Sequence, residues 1–448
     1  MLAIKENIEN REFEKNINFI NKEHIITTNQ LESIYENMNI ENSSIIVESC
    51  YILDSSDSFL VEEKEKKRKV LPYIKEDDTK IIEFKKIIGK HKQSADFIRD
   101  FNNNYFISGG MDNKLIIYSS DYKKIKERKL GYLLLNINKT NTINNNNLEI
   151  LLNSNEKSYL IKIDEYKFRI NAYREMKGYN FCLEINNYYY IMGNKSGCYM
   201  FYNMFSKIIQ NKAIVQITDK FYNSGIQINK NIIVLTSNSI VPNGEDKLII
   251  FNCLVKQIIY EIEGFSYISS SSSNGLSIIN KNEDLILLCA CKKYLKCQRN
   301  GILLVNINVK NGEKETMKYF FYDTGFFEIY CFCQIFILDK TNNKVLDDKK
   351  IIIGTDYFLV GGFEKKKGKG IIKLYKIINN QNFLETKIEF IQDITFGKNN
   401  KFKGFKGPIT NIIQTKNNGH LLITCWDGNV YLFSKPNINC FLFYDNNK

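Results

Sequence analysis

The chain has little of what most catalytic and membrane-spanning proteins need. Its 448 residues include 3 histidines, 4 prolines and 1 tryptophan. No histidine has a second ligand at metal spacing, and the H-E-x-x-H and G-x-S-x-G motifs are absent from the sequence. The longest apolar runs, such as 284–290, fall far below the roughly 18 residues that a membrane helix needs. The sequence therefore predicts a protein that is not an enzyme and that has no cofactor, metal or membrane span.

The cysteines predict buried thiols in a reducing compartment. There are 11 of them and no C-x-x-C pair. Cys289 with Cys291, and Cys331 with Cys333, are two residues apart in apolar runs, which places each pair on one face of a strand. A zinc site of Cys289, Cys291 and Cys297 would have the wrong spacing for a zinc knuckle. Residues 1–15 alternate charged residues with Ile and Phe, unlike a signal peptide, so the cytoplasm is the expected location.

The net charge of +12 favours acidic partners without establishing one. A chain this rich in Asn, Lys and Ile gains lysines from a compositional bias alone. One basic run, 66–69 (Lys-Lys-Arg-Lys), has the composition of a nuclear localisation patch, which leaves the nucleus as an alternative location.

Two regions differ in pattern. Residues 1–78 are predicted to form a short helical extension, because Phe13, Ile17 and Ile20 recur at helical spacing, followed by a charged linker at 61–70. From residue 79 to residue 448, short runs of Ile, Leu, Val, Tyr and Phe alternate with Asn, Gly, Lys and Ser, which is typical of many short strands. Several runs are apolar at every position, as in strands that are covered on both faces.

These short runs group into seven units of four strands, a to d. The first five intervals between units average about 47 residues, close to the length of a propeller blade, and the sixth interval is longer. The units begin near His91, Leu134, Gly178, Ser224, Gly275, Phe326 and Gly404. In the first unit we place strand a at Ala95–Phe101, strand b at Tyr105–Ser108, strand c at Leu115–Tyr118 and strand d at Lys129–Leu134.

The first unit, His91 to Tyr118, carries four side chains at a defined spacing. Ser108 ends strand b, Asp112 follows four residues later in the b–c turn, and Tyr118 comes six after Asp112. His91 lies seventeen residues before Ser108. This unit resembles a blade of the WD-repeat family, in which Trp usually holds the position of Tyr118. The resemblance implies an all-β, seven-bladed β-propeller in which His91 is a structural hydrogen-bond partner and not a base.

The last unit resembles the same family less completely. Asp427 and Gly428 make its b–c turn, and Phe433 lies six residues after Asp427. Phe405 stands where the histidine would be. Trp426 lies in the turn beside Asp427, where we expect its side chain to pack against the turn and not to form a surface for a ligand. Residues 80–88 are predicted to close the ring as the outer strand of this blade.

The resemblance implies a non-catalytic scaffold or adaptor that binds proteins, most often through the face carrying the b–c turns and d–a links. The alternative is a module that binds an acidic partner, RNA or anionic lipid, through basic b–c turns. The candidate residues are Lys292, Lys293, Lys296 and Arg299 in the fifth unit, and Lys365, Lys366, Lys367 and Lys369 in the sixth.

Overall fold

The computed structural model describes residues 82–436 with gaps. All of them belong to the second of the two units into which the chain divides, Met1–Leu60 and Val61–Lys448. The predicted helical extension and linker of residues 1–78, with the basic run 66–69, lie outside the described residues. The described ranges are 82–101, 105–131, 134–144, 147–154, 157–164, 170–179, 181–186, 189–194, 196–202, 213–218, 222–229, 231–237, 246–266, 275–281, 284–291, 293–294, 300–307, 319–325, 327–339, 351–378, 387–394 and 402–436.

Within these ranges the regular secondary structure is entirely β. The strands are β1 Phe84–Lys90, β2 Ala95–Phe101, β3 Tyr105–Gly110, β4 Lys114–Ser119, β5 Lys124–Lys129, β6 Leu134–Asn144, β7 Asn147–Ser154, β8 Lys157–Asp164, β9 Ile170–Lys177, β10 Phe181–Asn186, β11 Tyr189–Asn194, β12 Gly197–Tyr202, β13 Ala213–Thr218, β14 Tyr222–Gln227, β15 Ile232–Ser237, β16 Asp246–Asn252, β17 Gln257–Ser266, β18 Leu276–Lys281, β19 Asp284–Cys291, β20 Lys293–Tyr294, β21 Asn300–Ile307, β22 Tyr319–Gly325, β23 Phe327–Asp339, β24 Ile351–Glu364, β25 Lys369–Ile378, β26 Lys387–Asp393, β27 Ile409–Gln414, β28 Leu421–Cys425 and β29 Asn429–Phe433.

The described strands form seven antiparallel sheets, one for each unit that the sequence predicts. We number the sheets in the order in which their first strands occur. Sheets 1 to 3 are β2–β5, β6–β9 and β10–β13. Sheet 4 is β14–β17 with the short β20 at its edge. Sheet 5 is β18, β19, β21 and β22. Sheet 6 is β23–β26, and sheet 7 is β27–β29 with β1 as its outer strand.

The sheets follow one another around a closed ring. First strands contact the next sheet in turn: β2 contacts β6, β6 contacts β10, β10 contacts β14, β14 contacts β18, β18 contacts β23 and β23 contacts β27. The ring closes because β27 and β28 contact β2. Each sheet therefore packs between two neighbours.

This stacking explains why whole strands are apolar. In β21, Leu303 and Val305 belong to a cluster shared with sheet 4, whereas Ile302 and Leu304 belong to a cluster shared with sheet 6. Successive side chains of a strand point to opposite faces, so a strand between two sheets needs apolar residues at every position. Burying each such side chain contributes about 1.5–3 kcal/mol.

The ring is closed by pairing the two ends of the described chain. The N-terminal strand β1 pairs antiparallel with β29, with Phe84 opposite Phe433 and Lys90 opposite Asn429. The Ser434 amide donates to the Glu83 carbonyl at 2.7 Å. The predicted closure is confirmed for the described part of residues 80–88, with the strand at Phe84–Lys90. Pairing removes an edge that would otherwise be exposed.

One strand of sheet 1 begins earlier in the chain than the sequence predicts. Strand d, predicted at Lys129–Leu134, is β5 at Lys124–Lys129. Tyr122 adopts a φ of 63°, and the tight turn around it lets β5 begin at once, so that Leu134 already starts sheet 2. Of the residues that the structure describes, none lies in a helix with the length and apolar character of a membrane span.

Candidate functional site

A chain of buried hydrogen bonds connects the four side chains singled out in sheet 1. His91, in the link that enters β2, lies 2.9 Å through Nδ1 from Asp112 Oδ1 and 2.9 Å through Nε2 from Ser108 Oγ. The Ser108 Oγ lies 3.1 Å from the Tyr118 hydroxyl. Asp112 also accepts from the backbone amides of Lys92 and Lys114. The network ties the link, the β3–β4 turn and both strands together.

The protonation states of His91 and Asp112 determine which group donates in each hydrogen bond of this network. Burial lowers the pKa of His91 and outweighs the opposing effect of the hydrogen bond that His91 donates to Asp112. Burial would raise the pKa of Asp112, but the hydrogen bonds from His91 and from two backbone amides hold it below its usual value. A neutral imidazole beside a carboxylate donates from Nδ1 and accepts at Nε2. Tyr118 therefore donates to Ser108, Ser108 to His91, and His91 to Asp112.

The order Ser, His, Asp matches that of a hydrolase triad, but this arrangement does not offer a nucleophile to a substrate. Ser108 and Tyr118 are fully buried, and His91 is 1% exposed. Catalysis needs the serine oxygen to reach a carbonyl carbon. Here the Ser108 oxygen is enclosed between His91 and Tyr118, so the arrangement holds sheet 1 together.

The same link joins sheet 1 to sheet 7. The His91 amide donates to the Gly428 carbonyl at 2.7 Å. Gly428 has a φ of +83°, and a Cβ at this position would lie 2.5 Å from the carbonyl oxygens of both His91 and Gln93. Only glycine fits both the left-handed conformation and the close approach.

Sheet 7 satisfies its own turn aspartate differently. The Tyr431 hydroxyl donates to Asp427 Oδ2 at 2.5 Å, and the Asn429 amide donates to Oδ1 at 2.9 Å. Phe405 is buried, forms a bridge with Gly370 of sheet 6 and packs edge-on against Tyr431 at 5.1 Å. Phe433 is fully buried at the end of β29. An aromatic cluster therefore occupies the place of the histidine network.

A cavity of about 390 Å³, which we call the Trp426 cavity, lies where sheets 6 and 7 meet. It opens on the side of the ring that carries the b–c turns and the links into the first strands, which we call the link face. Its walls come from the start of β23, the end of β24, the link before β27 and the β28–β29 turn. They are lined by Glu328, Tyr330, Phe363, Lys406, Gly407, Pro408, Trp426 and Asp427.

The walls of this cavity are largely apolar. The Trp426 ring meets Tyr330 edge-on at 6.1 Å, across the boundary between the two sheets. Trp426 thus packs in the turn as the sequence favoured, yet it remains 48% exposed. A large aromatic residue that keeps half its surface in water beside a cavity is typical of a contact surface.

Both carboxylates of the cavity have partners within the chain. Glu328 is 7% exposed. Its Oε1 lies 2.7 Å from Lys365 Nζ, and its Oε2 accepts from the Tyr330 hydroxyl at 3.2 Å. Burial and the nearby Glu328 charge raise the pKa of Tyr330, which keeps its hydroxyl protonated as a donor. Asp427 accepts hydrogen bonds from the Tyr431 hydroxyl and the Asn429 backbone amide.

The predicted basic turns are described only in part. In sheet 6 the β24–β25 turn exposes Lys365, Lys366 and Lys367, and Lys369 is exposed as the first residue of β25. Two of these four lysines pair with carboxylates, Lys365 with Glu328 and Lys367 with Glu364. In the fifth unit Lys292, Lys296 and Arg299 lie outside the described residues, and Lys293 is described only as part of β20, which pairs with β17.

The paired cysteines pack as their spacing predicts. Cys289 and Cys291 belong to one cluster between sheets 4 and 5, and Cys331 and Cys333 to one between sheets 6 and 7. Burial raises the pKa of Cys333 to about 12, so its thiol stays protonated. Cys297 lies outside the described residues, within which no group of three or more ligating side chains could hold a metal ion.

Sequence reasoning missed Glu328, Tyr330 and Phe363. The available signal was Glu328, the single charged residue in the largely apolar run 326–338. A charge in such a run needs a partner or an opening to solvent, and here it has Lys365 and the cavity.

Comparison with known proteins supports the fold alone. No family model matches the sequence, and no curated protein matches it. Among solved structures, the crystal structure of the β-propeller domain of Myceliophteria thermophila Cps50 (Swd1) matches with a TM-score of 0.50 and 9% identity. The match covers 76% of this chain and 97% of that one. The chain has a β-propeller fold, which confirms the all-β propeller prediction.

Proposed function

We propose that the chain is a non-catalytic scaffold that holds partner proteins on the link face of its propeller. Its main support is the Trp426 cavity, which combines a half-exposed tryptophan, two further aromatic walls and a rim of charged turns. Aromatic residues that keep a large exposed area are enriched at protein interfaces. The rigid ring around the cavity would present such a surface without rearrangement.

The alternative of an RNA or anionic-lipid site on the basic turns is not favoured. Lys365 and Lys367 already form ion pairs within the chain. A site that binds a polyanion through its backbone needs many uncommitted cations, and these two ion pairs reduce the number that this turn offers.

The experiment is quantitative affinity purification of the full-length chain from its own cells, beside the variants Trp426→Asp and Leu254→Asp. Leu254 is the matched control, since it is 71% exposed in the distant β16–β17 turn. We expect proteins that copurify reproducibly with the parent chain and with the control and that are lost with Trp426→Asp. The function would be refuted if no protein copurified and in-cell proximity labelling also returned none. Partners that still copurify with the Trp426→Asp variant would show that they bind to another surface of the chain.

A further inference from the structure

We infer that the Trp426 cavity binds a short acidic segment of a partner protein, which inserts one apolar side chain between Trp426 and Phe363. This inference rests on the proposed function and names the chemistry of the partner. Three observations lead to it: the size and walls of the cavity, the state of its carboxylates, and the charge of its rim.

The size and walls of the cavity suit a side chain and not a folded element. Its volume of about 390 Å³ is near the lower end of the range for ligand sites, about 300–1,000 Å³. Tyr330, Phe363, Pro408 and Trp426 supply apolar surface on several sides. An apolar side chain placed there would bury surface that is now wet, chiefly on Trp426.

The carboxylates of the cavity do not call for a cation from outside. Glu328 already holds Lys365 and the Tyr330 hydroxyl. Asp427 accepts from Tyr431 and from the Asn429 amide. A cationic ligand would have to displace Lys365, whereas an apolar side chain leaves all these contacts in place.

The charge around the opening favours acidic groups. The lining residues of the cavity carry one lysine and two carboxylates, and the adjoining β24–β25 turn with its two flanking residues carries four lysines and one carboxylate. Together these groups, which we call the rim, have an excess of two positive charges. The lysines are Lys365, Lys366, Lys367, Lys369 and Lys406, and the carboxylates are Glu328, Glu364 and Asp427. The whole chain has the same sign, at +12. Charge complementarity of this kind steers a partner to its site and selects against partners of the wrong sign.

The test selects random short peptides on the immobilised full-length chain and sequences the binders. We expect Asp and Glu to be enriched on both sides of one aromatic or aliphatic residue. Binders enriched in Lys or Arg would overturn the inference and leave the scaffold function standing. A selection that enriches no peptide would also overturn it, and the affinity purification above would then decide the function separately.

A selected peptide is then titrated against the parent chain and two variants. Trp426→Ala should weaken binding at least about tenfold, as the loss of a central aromatic anchor does, and Leu254→Ala should not change it. Equal affinity for Trp426→Ala would place the peptide elsewhere and refute the site. Since Trp426 is the only tryptophan of the chain, its own fluorescence should shift to shorter wavelength on binding, and an unchanged spectrum would contradict insertion.

The charge argument has its own pair of variants. Lys366→Glu with Lys369→Glu should weaken the acidic peptide several-fold and reduce its dependence on ionic strength. The matched control is Lys126→Glu with Lys129→Glu on the outer strand of sheet 1, where both lysines are exposed. If both double variants lost the same peptide affinity, the effect would come from the net charge of the chain, and the proposed role of the rim would be refuted. A single-stranded RNA that binds the parent chain more tightly than the peptide, and that Lys366→Glu with Lys369→Glu weakens, would overturn the assignment to protein.

Discussion

Replacing Asp112 with alanine removes the acceptor on which the sheet 1 network depends. Three donors would lose their partner: His91 Nδ1 at 2.9 Å, the Lys92 amide at 2.9 Å and the Lys114 amide at 3.1 Å. The Asp112 side chain is only 5% exposed, so water replaces it poorly. A hydrogen bond to a charged group contributes about 1.5–3 kcal/mol. The backbone amides of Lys92 and Lys114 lie near solvent and form hydrogen bonds with water instead. The expected loss in the free energy of unfolding is therefore about 3 kcal/mol.

The assay is urea unfolding of the full-length chain followed by far-ultraviolet circular dichroism. Asp112→Asn, which keeps one acceptor oxygen for His91, should lose about 1 kcal/mol. Asp121→Ala is the matched control, because Asp121 is an exposed turn residue of the same sheet and should change stability by less than about 0.5 kcal/mol. The reasoning fails if Asp112→Ala unfolds at the same urea concentration as Asp121→Ala.

The same network predicts an acid dependence. The pKa of His91 lies below its usual 6.5 in the folded chain, so the unfolded chain binds the proton first as the pH falls. Stability is therefore lost as the pH falls from about 6.5. Asp112 raises the His91 pKa, so Asp112→Ala should make this loss steeper. A variant whose stability fell no faster with acid than that of the parent would contradict the assigned protonation states.

Three further predictions concern a glycine in a turn, a pair of facing strand residues and a buried carboxyl group. Gly428→Ala should lose at least about 2 kcal/mol in urea unfolding, because the new Cβ meets two carbonyl oxygens at a positive φ, whereas Gly131→Ala, with open space around it, should be neutral. Lys90→Cys with Asn429→Cys should form a disulfide on mild oxidation, because the two residues are direct partners in β1 and β29, and should stabilise the ring by up to about 4 kcal/mol. Burial raises the pKa of Asp96 to about 7, so the folded chain holds a proton that the unfolded chain loses near pH 3.8, and Asp96→Asn should gain up to about 4 kcal/mol over the parent between pH 4 and pH 8.

Each has a contrary result. Equal stability of Gly428→Ala and Gly131→Ala would contradict the close approach of the backbone at Gly428. A pair of cysteines that stays reduced, or that links separate molecules, would contradict the closure by β1. Parallel stability curves for Asp96→Asn and the parent across that pH range would show that burial does not shift the carboxyl.

Local patterns in the sequence predicted much of the fold. The spacing of His91, Ser108 and Asp112 is set within one four-stranded unit, so reading that unit alone was enough to pair them. The apolar runs of β21 likewise indicated strands covered on both faces. Strand β5 was misplaced because the tight turn at Tyr122 depends on a left-handed conformation that tyrosine rarely adopts.

The cavity could not be predicted in the same way. Glu328, Tyr330 and Phe363 come from sheet 6, and Trp426 comes from the turn of sheet 7. Their proximity depends on how the two sheets are placed side by side, which no local spacing records. The sequence thus indicated Trp426 and the lysine turn of sheet 6 separately, without indicating that Glu328, in the cavity wall with Trp426, pairs with Lys365 of that turn.

The most direct test of the central claim is photo-crosslinking in the native cells. A photoreactive phenylalanine analogue is introduced in place of Trp426 in one chain and in place of Val255 in another, since both residues are about half exposed and lie in turns of different sheets. We predict that the analogue at position 426 crosslinks to partner proteins, through segments rich in Asp and Glu, and that the analogue at 255 does not give the same products. The same set of proteins from both positions, or none from position 426, would contradict a scaffold that binds its partners at this cavity.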